Sequence, residues 1–349
     1  MFYASDKKKR NSNLELYRII CMLAIVAHHY VMNSGLLKIL EQDPISTRSI
    51  YYYLLGAWGK TGINCFVLIT GYFMCMSHIT KEKFLKLLLE VMFYKIVISG
   101  IFIMSGYEHI NLNTLVFMLL PITSVNDSFT DCFLLFFLCI PFLNIMVKSM
   151  TKLQHKYLLI LLLGIYTCLG TLLPGRLTTN YVTWFCVLYF ISSYIRLYQP
   201  FPNVRWAIWL GGAVLLSIAS VISILIVSVK IGIKPHQYYF ISDSYKLLAV
   251  VVGVCMFMWF KDMKIPQSKI INRIAQSCFG VLLIHAHSDT MRQWLWKDTL
   301  DVVNQYWTNS FILHSVLSVF GIYVICSIID QLRIIYVEKP LFGLFKKQI

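Results

Sequence analysis

Long apolar runs, separated by short polar segments, follow one another along the chain. A helix that crosses the hydrocarbon core of a bilayer needs about 20 mostly apolar residues. The pattern therefore predicts an all-α, polytopic transmembrane helix bundle of about ten spans. Residues 1–349 are expected to form a single membrane domain, with no extra soluble domain. The predicted spans are roughly 14–34, 51–76, 84–106, 128–147, 157–174, 181–199, 206–229, 244–260, 273–290 and 311–336.

The first predicted span shares a basic start with secretory signal peptides. A signal peptide also has a short apolar region and a small-residue cleavage site. Here the apolar run is long and holds His28 and His29, and no such cleavage site follows it. We therefore interpret 14–34 as a retained span.

The composition agrees with a membrane protein. Hydrophobic residues make up 58% of the chain and charged residues only 13%, with a mean hydropathy of +0.67. A soluble domain has about 25% charged residues. The ten cysteines form no CxxC pair, and most lie inside apolar runs. They are typical of small buried apolar residues rather than of a disulfide framework or a zinc site, so no metal is predicted.

The basic residues are distributed unevenly among the loops. A net charge of +15 by itself favours an anionic partner such as nucleic acid or anionic lipid. If the N-terminus is cytoplasmic, however, 21 of the 31 lysines and arginines lie on the cytoplasmic side, and the loop 108–127 has none. This pattern predicts that both termini are cytoplasmic, so topology explains most of the charge and no nucleic-acid partner is expected. The cytoplasmic set is Lys7, Lys8, Lys9, Arg10, Arg18, Lys81, Lys83, Lys86, Lys148, Lys152, Lys156, Arg196, Arg205, Lys261, Lys264, Lys269, Arg273, Arg333, Lys339, Lys346 and Lys347.

Ionisable groups inside a predicted span are the best indicators of function, because they are costly in lipid. Arg18 and His29 are eleven residues apart, so they share one helix face and lie about 16 Å apart along the axis. Since imidazole titrates near neutral pH, His29 is a candidate general base or acid. The alternative is a histidine hydrogen-bonded between helices, with Arg18 as an ordinary cytoplasmic-side residue.

Three other spans carry polar residues. In the second span, Asn64 and Thr70 lie on one broad side among glycines, which favours close helix packing. In the ninth span, His285 and His287 face nearly opposite ways, so at most one of them shares a cavity with His29. In the third span, Glu90 and Lys95 are near enough in sequence to pair.

Several enzyme signatures are missing from the sequence. There is no GxSxG elbow, no P-loop and no HExxH motif, so a serine nucleophile of the elbow type is unsupported. A histidine that acts directly on a bound hydroxyl is compatible with the residues present.

Five segments resemble motifs of the integral-membrane acyltransferase-3 family of bacteria, in the same order along the chain. The first helix resembles that family's opening helix, with ten residues between the arginine and the histidine. Two departures are that Thr70 stands where serine is usual, and that lysines replace the arginines expected after the second span. The segments are LELYRIICMLAIVAHHYV at 14–31, FVLITGYF at 66–73, FFLCIPFLN at 136–144, FGVLLIH at 279–285 and VEKPLF at 337–342.

The resemblance implies a multi-pass O-acyltransferase of the cell (inner) membrane, surrounded by membrane lipid. It would move an acyl group, usually acetyl, from cytoplasmic acyl-CoA to a hydroxyl of an envelope glycan or a lipid-linked sugar. Acyl-CoA is a donor substrate in this scheme, and no permanently bound cofactor is implied. The candidate catalytic residues are His29, Arg18 and His285. The candidate substrate- and donor-binding residues are Thr70, Tyr72, Asn64, Lys81, Lys83 and Lys86.

Two other functions remain open at this point. A glycan polymerase or flippase-like envelope protein is also polytopic and basic on its inner side. A proton-coupled transporter could use histidines as a relay, although the chain lacks Gly/Pro-broken helices in two matching halves.

Overall fold

The computed structural model describes residues 10–125, 128–173, 175 and 180–347, with side chains to residue 343. Within these ranges the chain forms helices and no strand. The predicted cytoplasmic residues Lys7, Lys8 and Lys9 lie outside the described residues. The side chains of Lys346 and Lys347, and the predicted segment ends at 127 and 174, also lie outside them.

The first half of the described chain is a succession of helices with short connections. A π-helical segment, Leu163–Leu169, joins the last two. These helices are α1 (Ser12–Met32), α2 (Leu37–Leu40), α3 (Thr47–Gly56), α4 (Gly59–Met74), α5 (Lys81–Met104), α6 (Leu112–Leu119), α7 (Phe129–Ser149), α8 (Lys152–Leu162) and α9 (Gly170–Leu172).

The second half continues in the same way. Its irregular helical segments are a 3₁₀ turn at Ala275–Ser277 and π-helical stretches at Gln293–Thr299 and Ile334–Glu338. The α-helices are α10 (Tyr181–Tyr198), α11 (Trp206–Ile231), α12 (Leu247–Asp262), α13 (Lys269–Ile274), α14 (Cys278–His285), α15 (Asp289–Arg292), α16 (Val302–Gln305), α17 (Phe311–Arg333) and α18 (Lys339–Lys347).

Six helical stretches of the described chain are long and apolar enough to cross a bilayer. Two predicted spans are divided instead. The stretch 51–76 is split at Ala57 and Trp58 between α3 and α4, and the stretch 273–290 contains α14, which has only eight residues. The six candidate spans are Ser12–Met32, Lys81–Met104, Phe129–Ser149, Lys152–Leu172, Trp206–Ile231 and Phe311–Gly343.

Several helices begin at a side chain that caps the free backbone N–H groups of the first turn. Ser46, Thr80, Ser128 and Asn180 each accept a hydrogen bond from the N–H three residues later. At α8, Thr151 forms a reciprocal capping box with the glutamine three residues on. The starts of α7 and α10 agree with the predicted spans to within one residue, whereas α3, α5 and α8 begin three to five residues earlier than predicted.

Helix α1 lies at the centre of the bundle and packs against α3, α4, α12, α14 and α17. Glycines in α4 permit the closest of these approaches. A Cβ added at Gly59 would collide with His28, and one added at Gly62 would lie 3.0 Å from the Cys21 carbonyl oxygen. Gly71 faces α10, where an added Cβ would collide with Ser192. The glycines of the second predicted span therefore serve close helix packing.

The bundle has two ends that can be told apart by their contacts. At the N-terminal end, where α1 begins, Asn13 donates hydrogen bonds to carbonyls at the end of α12, and Asn144 of α7 donates to carbonyls at the end of α4. At the opposite end, Tyr30 of α1 bonds His314 at the start of α17. Arg18 lies toward the N-terminal end, and His29 lies toward the opposite one.

Candidate functional site

A pair of histidines from two distant parts of the chain meets inside the bundle. The Nδ1 of His29 in α1 lies 3.0 Å from the Nε2 of His285, the last residue of α14. The other ring nitrogen of His285, Nδ1, lies 2.6 Å from the carbonyl oxygen of Val281. His285 is fully buried, whereas His29 is partly accessible.

The hydrogen-bond partners determine the tautomers of the neutral pair. Because a carbonyl oxygen only accepts, His285 carries its proton on Nδ1 and donates it to Val281. Its Nε2 is then an acceptor, so His29 donates from Nδ1 and keeps a lone pair on Nε2. Among the described residues, no protein group bonds this Nε2. The arrangement leaves one basic nitrogen, held in a fixed orientation, open for a ligand.

Indole and phenol rings hold the pair from one side. Trp296 is fully buried and packs edge-on against His285, with ring centroids 6.4 Å apart. The same indole packs edge-on against Tyr30, which bonds His314 at 2.8 Å. Such packing restricts the rotamers of the His285 ring and so maintains the direction in which it accepts from His29.

Arg18 is not in contact with the histidine pair. It lies three turns away on α1 and forms an ion pair with Glu15 at 3.3 Å. The Nε–H of Arg18 is buried and has no partner among the described residues. The guanidinium thus offers a donor for a ligand near the N-terminal end of the bundle.

A second arginine lies toward the same end. Arg196, in the last turn of α10, donates from Nη1 to the Tyr72 hydroxyl at 2.8 Å, and its guanidinium stacks over the Tyr72 ring at 4.7 Å. In the sequence, Arg196 counted only as a cytoplasmic-side charge. The signal that could have singled it out is its place in the last turn of an apolar span, but its contact with α4 requires the fold.

Comparison with known proteins identifies the family. A family model described as an acyltransferase domain matches residues 11–331. The chain belongs to the acyltransferase-3 family. No curated protein and no solved structure gives a significant match. Together with the apolar helices, family membership makes this protein a membrane acyltransferase.

Two candidate donor-binding residues of the acyltransferase have their polar groups occupied by the protein itself. The fully buried amide of Asn64 donates to the Ser244 and Ala249 carbonyls and accepts from the indole N–H of Trp184. The Thr70 hydroxyl donates at 3.0 Å to a carbonyl of its own helix, that of Phe66. In this arrangement Asn64 joins α4 to α10 and to the start of α12.

The three candidate lysines of the acyltransferase lie on the first turns of α5. Lys81 and Lys83 are exposed, and Lys83 also bonds the Ser77 hydroxyl and the His78 carbonyl at 2.9 Å each. Lys86 is partly buried and lies between Glu82 and Glu338 at 3.6 and 3.8 Å. Exposed ammonium groups at the mouth of the bundle are suited to phosphate, while Lys86 is already paired with carboxylates.

The other histidines of the first and ninth predicted spans, His28 and His287, contact different groups. His28 bonds the Gly56 carbonyl at 2.6 Å and so ties α1 to the end of α3. His287 packs against Phe117 with ring centroids 5.2 Å apart. Of the ninth-span histidines, His285 is therefore the one that reaches His29.

The predicted pairing of Glu90 with Lys95 is wrong. Glu90 pairs with Arg333 at 3.0 Å, and Lys95 pairs with Asp131 at 3.4 Å. Five residues along a helix correspond to a rotation of about 140°, so the two side chains point to different neighbours. Within the described residues, no group of three or more His, Cys, Asp or Glu side chains is arranged to hold a metal ion.

Proposed function

We propose that this acyltransferase transfers an acetyl group from cytoplasmic acetyl-CoA to a hydroxyl of an envelope glycan, with Nε2 of His29 as the general base. The observation that carries the proposal is the open Nε2, whose lone pair follows from the hydrogen bonds of His285. Family membership favours acyl transfer over the polymerase and transporter alternatives.

In the proposed reaction, the glycan hydroxyl gives its proton to Nε2 of His29 while its oxygen attacks the thioester carbonyl. The C–S bond then breaks, and the departing thiolate takes the proton back from His29, which yields the ester and free CoA. A well-placed base of this kind contributes about 10²–10⁴ in rate. While His29 is cationic, its Nδ1–H remains bonded to His285, so His285 acts as a positioning residue.

Positive groups toward the N-terminal end of the bundle support the entry of the donor from that side. Arg18 has an unpartnered Nε–H, Arg196 stacks on Tyr72, and Lys83 is exposed in the first turn of α5. Coenzyme A carries phosphates, and guanidinium groups bind phosphate in a fixed geometry. We assign these residues to the donor side and His29 to the acceptor side.

In the proposed topology the bundle lies in the cell membrane, and its N-terminal end is on the cytoplasmic side. With about ten helical crossings, some of them shorter than a full span, both termini are cytoplasmic and the chain acts as one membrane domain. In this topology the phosphates of the water-soluble donor lie near Arg18 and the extracytoplasmic acceptor lies near His29, about 16 Å away along α1. The thioester end of the donor therefore extends inward from Arg18 toward His29.

The deciding experiment measures the O-acetyl content of isolated envelope polysaccharide by proton NMR. The strains are the parent, a deletion, and the deletion restored with wild type, His29→Ala or His28→Asn. Acetyl signals lost on deletion and regained with wild type and His28→Asn, but not with His29→Ala, support the proposal. His28→Asn is the matched control because its amide can still donate to the Gly56 carbonyl.

Other results would contradict the proposal in distinct ways. Normal acetylation by a normally abundant His29→Ala protein would remove His29 from the role of base. Acetyl signals unchanged by the deletion would contradict the acetyl or glycan assignment, and mass spectrometry of the envelope would then identify another acyl group or acceptor.

A further inference from the structure

A long groove lies between α5 and α17 and has a volume of about 1170 Å³. Its walls are mainly aliphatic and aromatic. From α5 come Val97 and Ile101, and from α17 come Leu317, Ile325 and Ile329. The groove is larger than the roughly 300–1,000 Å³ of an ordinary small-molecule pocket.

The length of the groove matches the thickness of a membrane. On α17 its lining extends at least from His314 to Leu332, which is about 27 Å at the rise of an α-helix. The hydrocarbon core of a bilayer is about 30 Å thick. Leu317 and Ile325 are 60% and 59% exposed on a candidate membrane span, so we expect the groove to open sideways toward lipid rather than toward water.

The groove reaches one residue of the histidine pair, and toward the N-terminal end of the bundle it extends to Arg333 and Tyr336. His285, which bonds His29 at 3.0 Å, forms part of the wall, as does His314. Arg18, Tyr72 and Arg196 are not among the lining residues. An acetyl group on water-soluble CoA needs no such groove, so its occupant belongs to the acceptor side.

We propose that the groove between α5 and α17 holds the hydrocarbon chain of a lipid that carries the acceptor hydroxyl. The acceptor is then a lipid-linked sugar that enters from the membrane, not a finished, lipid-free polymer. This inference rests on the proposed function, since it names the class of acceptor for the same histidine pair. A chain in the groove restricts the attached sugar to the region of His285 and His29 and so raises its effective concentration there.

A glycine in the groove provides a variant that fills it without a clash. Gly321 of α17 lines the groove, and a Cβ built on it meets no described atom within 4 Å. Gly321→Trp therefore inserts an indole into the groove. The matched control is Gly212→Trp in α11, where an added Cβ also meets no described atom within 4 Å and the residue is outside the groove lining. Both variants replace a helical glycine, so their effects on helix propensity are alike.

The binding test uses the purified full chain in phosphatidylglycerol nanodiscs. One sample contains a trace of polyprenyl phosphate that bears a diazirine, and a parallel sample contains phosphatidylglycerol that bears the same group. We expect saturable crosslinking of the polyprenyl probe to α5 and α17. Gly321→Trp should lower it about tenfold, equivalent to about 1.4 kcal/mol of binding free energy, and Gly212→Trp should leave it unchanged. Equal labelling of both variants, or equal labelling of the groove by both probes, would mean contact with bulk lipid only and would overturn the inference.

A test in cells separates this inference from the proposed function. The lipid-linked glycans are extracted with organic solvent from the deletion strain restored with wild type, Gly321→Trp or Gly212→Trp, and their acetyl esters are measured. We expect esters in this pool with wild type and Gly212→Trp, and loss with Gly321→Trp. Esters on the finished polymer only, at wild-type level with Gly321→Trp, would overturn the lipid-linked acceptor and leave the acetyltransferase intact. No protein-dependent ester in any fraction would overturn the proposed function, and the crosslinking result would still decide what occupies the groove.

Discussion

Two buried polar clusters lie in the same helix bundle, one around Asn64 and one around His29. At Asn64 both amide protons and the amide oxygen are bonded to the protein, through two carbonyls and the Trp184 indole. At His29 only Nδ1 is bonded, and Nε2 has no partner among the described residues. Both residues are polar groups in apolar helices, so their composition alone does not distinguish them.

The difference between the clusters lies in how much of their hydrogen-bonding capacity the fold uses. A saturated cluster such as that of Asn64 stabilises the junction of three helices, because each buried group has a partner. A cluster with one free basic nitrogen has a group left for chemistry. The comparison therefore predicts losses of stability at Asn64 and losses of activity at His29, and each of the following measurements tests it.

The largest effect is expected at His29. In purified, membrane-reconstituted protein, His29→Ala should lower the rate of acetyl transfer by about 10²–10⁴, the contribution of a positioned general base. The thermal midpoint should fall less than in Asn64→Ala, because His29 is partly accessible and its removal leaves one buried acceptor, Nε2 of His285, without a partner. A His29→Ala protein that keeps its rate but unfolds at a lower temperature would reverse the comparison.

The second-largest effect is expected at His285, which touches no reacting atom in the proposed mechanism. His285→Ala should lower kcat about 10- to 100-fold, the range found when groups that orient metal-bound imidazoles are removed. His285→Gln should restore part of the loss, because the amide oxygen can accept from Nδ1–H of His29. Failure of glutamine to exceed alanine would remove the positioning role. The pH profile of kcat should also differ between the alanine variant and the wild type, since the partner that stabilises cationic His29 is lost.

The effect at Asn64 should appear in stability. Asn64→Ala leaves the Trp184 indole N–H and two carbonyls without their partner, and a buried unpaired group costs about 1–3 kcal/mol. We expect a lower thermal midpoint in detergent and lower abundance, with the activity per folded molecule unchanged. Thr70→Val is a useful comparison, because the Thr70 hydroxyl bonds only within its own helix. Thr70→Val should therefore lower the thermal midpoint less than Asn64→Ala does. A raised KM for acetyl-CoA in Asn64→Ala would instead assign Asn64 to donor binding.

The smallest effect is expected at Arg196. Arg196→Lys keeps the charge but loses the planar contact with Tyr72. We expect a rise of several-fold in the KM for acetyl-CoA, within the roughly 0.5–2 kcal/mol of such a cation–π contact, and an unchanged kcat. Steady-state kinetics at varied acetyl-CoA concentration measures KM and kcat separately. A fall in kcat with a constant KM would place Arg196 away from the donor.

Parts of the fold follow directly from local sequence. The caps at Ser46, Thr80 and Ser128 act on N–H groups three residues away, so the starts of those helices could be anticipated. The break at Ala57 and Trp58 could not, because the apolar run continues through it. There His28 of α1 bonds the carbonyl of Gly56 and packs against Gly59, and both contacts depend on how α1 crosses the next two helices.

The candidate site shows the same division. That Arg18 and His29 share a face of α1 follows from helical periodicity, because both belong to one helix. That His29 meets His285, 256 residues away, depends on the packing of α14 against α1. Hydropathy and periodicity report only on neighbours along the chain, so they suffice for the helical class, the apolar spans and the list of unusual polar residues. Contacts between distant helices decide which of these residues touch, which nitrogen of His29 remains free and where the groove between α5 and α17 opens. Only the assembled bundle contains those contacts.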